Sequence, residues 1–135
     1  HVYQFVHGDD LDGLYDLLDG CKLLLTFNGR RFDVPFMLEK MPDLRVECMH
    51  ADLLHLTRRL GIRGGLKSVE VQLGLARPEH VRGLTGYDAV RLWREHERGV
   101  DGALETLLEY NAQDIVNLKT IMDVLHELAC LRLMR

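Results

Sequence analysis

Two short stretches far apart in the chain each end in an aspartate whose neighbours place it beside apolar surface. One is Thr26–Asp33, with the sequence TFNGRRFD, and the other is Tyr110–Asp114, with the sequence YNAQD. A carboxylate in such surroundings is costly unless it is paired or holds a metal ion. If folding brings the two aspartates together, they could hold a divalent metal ion of the kind that phosphoryl-transfer sites use.

Tyr110 and Asp114 are four residues apart in a segment with helical periodicity, so they share one face of the predicted helix. Asp114 borders the apolar stripe of that helix. A carboxylate there could bind a cation while the phenol one turn away orients a water molecule or a phosphate oxygen. The alternative is an aspartate on the solvated edge of an amphipathic helix, with the tyrosine packing at its boundary.

Asp33 follows a polar turn at the end of the apolar run 22–27. A strand, a polar turn and a helix in this order place ligands at the carboxyl end of a strand in an open α/β sheet. Ordinary alternatives remain at both ends of the turn. Asp33 could cap the helix ahead of Val34-Pro35, and Asn28-Gly29 is a preferred turn pair.

The elements that must position these residues are predicted from periodicity and from turn residues. Strands are expected at 2–6, 22–27 (buried on both faces) and 44–49. Helices are expected at 11–20, 32–41, 53–60, 66–73, 87–97 and from 102 to about 125, with an irregular, exposed segment at 77–85. Asp9 or Asp10, Asp52 and Asp101 are the expected caps of the helices that follow them. Strands mixed with helices, followed by helices alone, predict a single α/β domain over residues 1–135.

Composition sets the outer limits on function. The chain has 135 residues, of which 47% are hydrophobic and 28% are charged, and its net charge is −4. No apolar run approaches the roughly 18 residues that a membrane span needs. Three widely spaced cysteines without a C-x-x-C pair favour a reducing compartment, so a cytoplasmic location is expected, and they argue against a disulfide framework or a cysteine zinc site. Oligomeric state cannot be read from the sequence.

The two stretches together resemble a known family. Phe27–Asp33 resembles the second motif of the DEDD 3′–5′ exonucleases, and Tyr110-x-x-x-Asp114 resembles their third motif in its tyrosine form, called DEDDy. The segments 50–54, 65–74 and 86–93 also resemble connecting segments of these domains, which include the proofreading domains of family-B polymerases. The resemblance extends from about residue 2 to about residue 125 and is greatest for bacterial stand-alone domains.

The resemblance implies a ribonuclease H-like mixed sheet flanked by helices and a two-metal hydrolysis of terminal phosphodiesters in single-stranded DNA or RNA. Asp33 and Asp114 would help hold Mg²⁺ or Mn²⁺, and Tyr110 would position the attacking water. The second motif would supply the remaining substrate contacts. Asn28 and Phe27 would line the substrate cleft, and Arg30 and Arg31 could meet phosphate.

The sequence departs from the family at its first motif, an Asp-x-Glu that supplies the other metal carboxylates. No Asp-x-Glu occurs in the sequence, and Asp10-Leu11-Asp12, which has the spacing, falls at a predicted helix start. We therefore expect either a fragment that lacks its first strand or strands, as the start at His1 also suggests, or a degenerate relative. The alternative function is a catalytically inactive nucleic-acid-binding or protein-interaction module on the same fold. A third possibility is a generic α/β structural domain with accidental motif matches.

Overall fold

The computed structural model describes residues 1–9 and 11–134, and within these it contains two strands and seven helices. In chain order they are α1 (Asp12–Asp19), β1 (Leu23–Thr26), α2 (Asp33–Lys40), β2 (Met49–Asp52), α3 (Leu53–Arg59), α4 (Leu66–Gln72), α5 (Glu79–Arg82), α6 (Gly86–Glu97) and α7 (Ala103–Leu133). The α/β class is confirmed, with more helix and fewer strands than the sequence predicted.

The two strands form a parallel pair whose carboxyl ends lie side by side. Leu23 is opposite Met49, and Thr26 is opposite Asp52. Each strand leads to a helix, α2 through a short turn and α3 directly. The arrangement therefore gathers the end of β1, the turn that follows it and Asp52 at one edge of the sheet.

The core lies between α3, α4 and the middle of α7. Its fully buried members are Leu53, Val69, Ile121 and Leu125. Phe27 packs against this cluster from the end of β1, together with partly buried side chains of α3, α4 and α7. Burying an aliphatic side chain of this size contributes about 1.5–3 kcal/mol, so these contacts help to hold the middle of α7 against α3 and α4.

The strand predicted at 44–49 is wrong in its position. The second strand begins at Met49, and within 44–48 only Leu44 is buried. Apolar alternation at 44–48 is compatible with one buried face, but a strand also needs a backbone partner. Register against β1 makes Met49–Asp52 the paired segment, which local sequence does not reveal.

The strand predicted at 2–6 is also wrong within the described residues. This segment has no strand beside it. It lines a cavity with Trp93 of α6 and residues of α7, where Gln4 Nε2 donates a hydrogen bond to the Leu108 carbonyl at 2.6 Å. The prediction that 22–27 is buried on both faces fails for a related reason. In the described sheet of two strands, the Leu23 side chain is 45% exposed and that of Met49 is 71% exposed.

Two of the predicted helix caps differ from the observed ones, and the alternative that Asp33 caps α2 is also not observed. Leu11 precedes α1 without a side-chain cap, so Asp9 is not the cap, and Asp10 lies outside the described residues. Gly102, at φ 77°, precedes α7 in place of Asp101. Asp33 is the first residue of α2 and does not cap it. The cap predicted at Asp52 is confirmed, because its Oδ1 accepts a hydrogen bond from Leu54 N at 3.1 Å.

Among the described residues, no helix combines the length and the apolar character that crossing a bilayer would require.

The turn between β1 and α2 depends on the absence of a side chain at Gly29. Asn28 adopts φ 64°, and a Cβ added at Gly29 would lie 2.6 Å from Thr26 Cγ2, well inside contact distance. The backbone of the turn therefore approaches the end of its own strand more closely than any residue with a side chain allows.

Replacing Gly29 with alanine should lower the free energy of unfolding by about 1–3 kcal/mol, because the new methyl group overlaps the Thr26 side chain. Urea denaturation measures the change. Gly83→Ala is the matched control, since a Cβ there meets no atom within 4 Å, and it should change stability by less than about 0.5 kcal/mol. Equal effects of the two substitutions would contradict the close approach.

Candidate functional site

Tyr110 and Asp114 line an open groove of about 440 Å³ on one face of α7. The predicted shared face of the two side chains is confirmed. The opposite wall of the groove consists of residues 65–68, at the start of α4, with Thr85 and Gly86 at the start of α6. The groove is therefore formed by the beginnings of two helices placed against the middle of a third.

Asp114 is already paired with a cation at this site. Its Oδ1 lies 2.5 Å from Arg77 Nη2 and is fully enclosed, in an ion pair whose geometry departs from the hydrogen-bond direction. The side chain as a whole is 29% exposed, which leaves Oδ2 as the oxygen available to a ligand. Burial raises the pKa of the Asp114 carboxyl above its ordinary value, although Arg77 and Lys67 act in the opposite direction.

Arg77 belongs to a buried polar network that links three parts of the chain. Its Nε donates to Glu70 Oε2 at 2.6 Å and its Nη2 donates to Glu70 Oε1 at 2.9 Å. Asn117 Nδ2 donates to the same Oε1 at 2.8 Å, and Asn117 Oδ1 accepts a hydrogen bond from Gln113 Nε2 at 3.0 Å. The network joins α4, the segment that leads to α5, and α7, and it fixes the guanidinium beside Asp114.

Sequence reasoning missed this network because it placed Arg77 in an exposed loop. The prediction that 77–85 is irregular and exposed holds for most of the segment but is wrong at Arg77 and Val81, which are buried, and at Glu79–Arg82, which forms α5. A signal was present in the periodicity of α4, because Glu70 is four residues after Leu66 and three before Leu73, which both pack against the core. A charged residue at a core position indicates a partner of opposite charge, because a buried charge is costly unless it is paired.

The ring of Tyr110 lies close to two cations. Lys67 Nζ is 4.7 Å from the centroid of the ring, and Arg77 Cζ is 5.9 Å from it. A cation over an aromatic face is attracted by the ring quadrupole. The groove thus combines a phenol, a carboxylate and the ammonium group of Lys67, which can attract a phosphate group.

The other predicted stretch is held by a second buried carboxylate, that of Asp52. Asn28 N donates to Asp52 Oδ1 at 2.7 Å, and Arg30 N donates to Asp52 Oδ2 at 3.1 Å. The Arg30 guanidinium donates to the His50 carbonyl at 3.2 Å, so it lies against the end of β2. Asn28 and Arg30 are therefore fixed at the carboxyl edge of the sheet.

The remaining predicted residues differ in their exposure. Phe27 is half-buried against the core cluster, whereas Arg31 and Asp33 are exposed. In the described part of the chain, the Asp33 side chain forms neither a hydrogen bond nor an ion pair, and it is not among the residues that line the groove. The structure brings Tyr110 and Asp114 together, gathers 27–33 at the strand end, and does not place Asp33 in the groove of Asp114.

The described residues do not fit a complete two-metal centre. Nowhere in 1–9 and 11–134 are three or more histidine, cysteine, aspartate or glutamate side chains grouped so that they could hold a metal ion. Asp114 is also beside two cations, Arg77 and Lys67, which oppose a further positive charge. Asp33 and Asp114 remain predicted ligands, and alone they supply only part of the donor set that such a site needs.

A larger cavity, of about 530 Å³, lies between α1 and the segment before β2, but its charge is wrong for nucleic acid. Its lining includes four carboxylates (Asp16, Asp19, Asp43 and Glu47) and a single cation, Arg45. Such a surface repels phosphate. The smaller groove at Tyr110 and Asp114 is therefore the better candidate site.

Glu70→Gln should lower the free energy of unfolding by about 3–5 kcal/mol, because it removes one charge of a buried pair and leaves the Arg77 guanidinium with less compensation. Urea denaturation followed by circular dichroism measures the loss. Asp123→Asn is the control, since that carboxylate forms an exposed pair with Lys119 on α7, and it should cause little measurable change. A loss below about 1 kcal/mol for Glu70→Gln would show that the network does not hold the fold.

Asp114→Asn should become more stable relative to the wild type as the pH rises through the acidic range. Because burial raises the pKa of Asp114, its neutral form is favoured by the fold, and its contribution to stability is lost as the carboxyl ionises. Asparagine does not titrate, so it does not suffer this loss. Urea denaturation at several acidic and neutral pH values gives the difference, and a difference that moves the other way would contradict the raised pKa.

Comparison with known proteins places the chain in a family. A family model, RNase_H_2, described as RNase_H superfamily, matches residues 5–126, a range that contains both predicted stretches and the Glu70–Arg77 network. Neither a curated protein nor a solved structure matches the chain significantly. Members of this superfamily are generally nucleases and usually use divalent metal ions, and the helix-rich α/β structure is consistent with a partial version of their fold. The chain belongs to the RNase H superfamily.

Proposed function

We propose that this domain is a metal-dependent 3′–5′ exonuclease of the DEDDy type that hydrolyses terminal phosphodiesters of single-stranded DNA or RNA. The observation that carries the proposal is the Tyr110–Asp114 pair on one wall of an open groove, in a chain of the RNase H superfamily. A phenol and a carboxylate one helical turn apart can hold a water molecule between them in a defined orientation.

The charge of the groove suits a phosphodiester. Lys67 Nζ lies over the Tyr110 ring, on the side of the groove opposite α7. An ammonium group there attracts a phosphate and holds it beside the phenol. Asp114 presents Oδ2 to the same space, because its Oδ1 is enclosed beside Arg77. In the proposal, Lys67 binds the phosphate backbone of the nucleic acid and Tyr110 orients the attacking water.

Further carboxylates are required beyond those that the described residues bring together. The family resemblance assigns metal binding to Asp33 and Asp114, and the missing donors are those of the Asp-x-Glu motif, which the sequence does not contain. The chain's own contribution in the proposal is therefore the groove, its cation and the Tyr110–Asp114 pair.

A second candidate function is a catalytically inactive module on the same fold that binds nucleic acid or another protein. The ion pair between Asp114 and Arg77 favours it, since the guanidinium neutralises this carboxylate without a metal ion. Such a module would keep the groove and the Lys67 ammonium group that can attract phosphate, and it would lack hydrolysis.

In a full-length protein that supplies the Asp-x-Glu donors, Asp114→Asn should lower the rate of Mn²⁺-dependent trimming of a 3′-labelled single-stranded oligonucleotide by at least about 100-fold, because it removes the carboxylate of the pair. Tyr110→Phe, which removes only the hydroxyl, should lower it by about 100-fold. Denaturing gels of the labelled products, with EDTA in place of Mn²⁺ as a blank, measure the rate.

The matched controls are Asp123→Asn, an exposed aspartate on the same helix, and Tyr3→Phe, an exposed tyrosine far along the chain from the groove; both should retain the wild-type rate. Full activity in Asp114→Asn would refute the assignment of the site. If the wild-type protein, assayed with the Asp-x-Glu donors supplied, binds the oligonucleotide without trimming it, that result would contradict the exonuclease proposal and support the inactive module.

A further inference from the structure

We infer that Asp52 is a positioning residue that holds the turn at Asn28–Arg30 against the end of β2 and thereby sets the place of Asp33. In the proposed function Asp33 binds metal, so the role of Asp52 in positioning Asp33 rests on that proposal. The contact between Asp52 and the turn stands on the geometry alone.

The Asp52 carboxylate is shared by three backbone N–H groups from two segments. Oδ1 accepts from Asn28 N at 2.7 Å and from Leu54 N at 3.1 Å, while Oδ2 accepts from Arg30 N at 3.1 Å. One side chain thus caps α3 and at the same time binds a turn 22 to 24 residues earlier in the chain. Capping needs only the bond from Leu54 N, so the other two bonds serve to hold the turn at Asn28–Arg30.

That consequence reaches Asp33 through the backbone of the turn. The Asn28 carbonyl accepts hydrogen bonds from Arg31 N and Phe32 N, both at 3.2 Å, and the Gly29 carbonyl accepts one from Val34 N at 2.9 Å. Phe32 and Val34 are the residues on either side of Asp33. Fixing Asn28 and Arg30 therefore fixes the peptide groups that flank Asp33, although its side chain is exposed.

The side chain of Asp52 has no comparable role as a direct ligand. The residue is 5% exposed, and both of its oxygens are occupied by backbone donors. A carboxylate is required because both oxygens accept; an amide would present a donor to Arg30 N. Hydrogen bonds from backbone N–H groups to an ionised carboxylate are also stronger than those to a neutral acceptor.

Two substitutions separate the roles of Asp52. Asp52→Ser retains the cap on Leu54 N, since serine is a good N-cap residue, but its hydroxyl is too short to reach Asn28 N and Arg30 N. Asp52→Asn retains an oxygen for Leu54 and Asn28 and loses only the bond to Arg30. Val81→Ala, a truncation of a fully buried side chain on α5, is a control for general destabilisation.

Amide hydrogen exchange followed by NMR tests the hold on the turn. In Asp52→Ser, exchange at Asn28 and Arg30 should rise by at least roughly tenfold more than in Val81→Ala, with a smaller rise at Phe32 and Val34, while Leu54 remains protected. In Asp52→Asn the rise should be confined mainly to Arg30. Equal exchange at these amides in Asp52→Ser and Val81→Ala would overturn the inference.

The 3′-trimming assay tests the positioning of Asp33. Asp52→Ser should lower kcat by roughly tenfold or more with a smaller rise in KM, because the groove at α7 is unchanged while the second stretch, to which the resemblance gives both a metal ligand and substrate contacts, is loosened. An unchanged kcat in a variant with loosened amides would overturn the positioning role. If the wild-type protein shows no trimming, the proposed function is refuted, but the inference about Asp52 is still tested by amide exchange. Unchanged protection at Phe32 and Val34 in Asp52→Ser would refute that inference.

Discussion

The buried contact between Arg77 and Glu70 is the interaction on which the remainder of the structure depends. It joins α4 to the segment before α5, and the same guanidinium reaches Asp114 on α7, while Asn117 of α7 completes the hydrogen bonding of Glu70. Charges removed from water in this way are stable only when each has its partners. One polar network therefore fixes α4 and α7, which form two walls of the groove, relative to each other.

Asp52 has a comparable role at the edge of the sheet. A parallel pair of four-residue strands provides few backbone hydrogen bonds, and its outer residues are exposed. The turn after β1 is consequently held by a side chain rather than by a neighbouring strand. The two buried carboxylates therefore have different roles. Glu70 helps to fix α4 and α7 beside the groove, and Asp52 holds the loop that carries the second predicted stretch.

Features encoded by near neighbours in sequence were predicted well. The shared face of Tyr110 and Asp114 follows from helical spacing, the cap at Asp52 from its place before an apolar run, and the turn at Asn28-Gly29 from its residue types. Features set by distant partners were not. The position of β2 depends on register with β1, and the burial of Arg77 depends on Glu70 and on α7, a helix that begins 26 residues later. The exposed place of Asp33 relative to the groove is likewise a property of packing.

The continuity of α7 has a consequence for how the chain can vary in length. Tyr110 and Asp114 lie on the same unbroken helix as Ile121 and Leu125, which anchor it in the core. One residue inserted between Asp114 and Ile121 would turn the groove side chains by about 100° around the helix axis relative to that anchor. The number of residues between the site and the core on α7 is therefore as constrained as their identity. The connection at 98–102 lies outside any helix, so an insertion there does not rotate the site relative to the core.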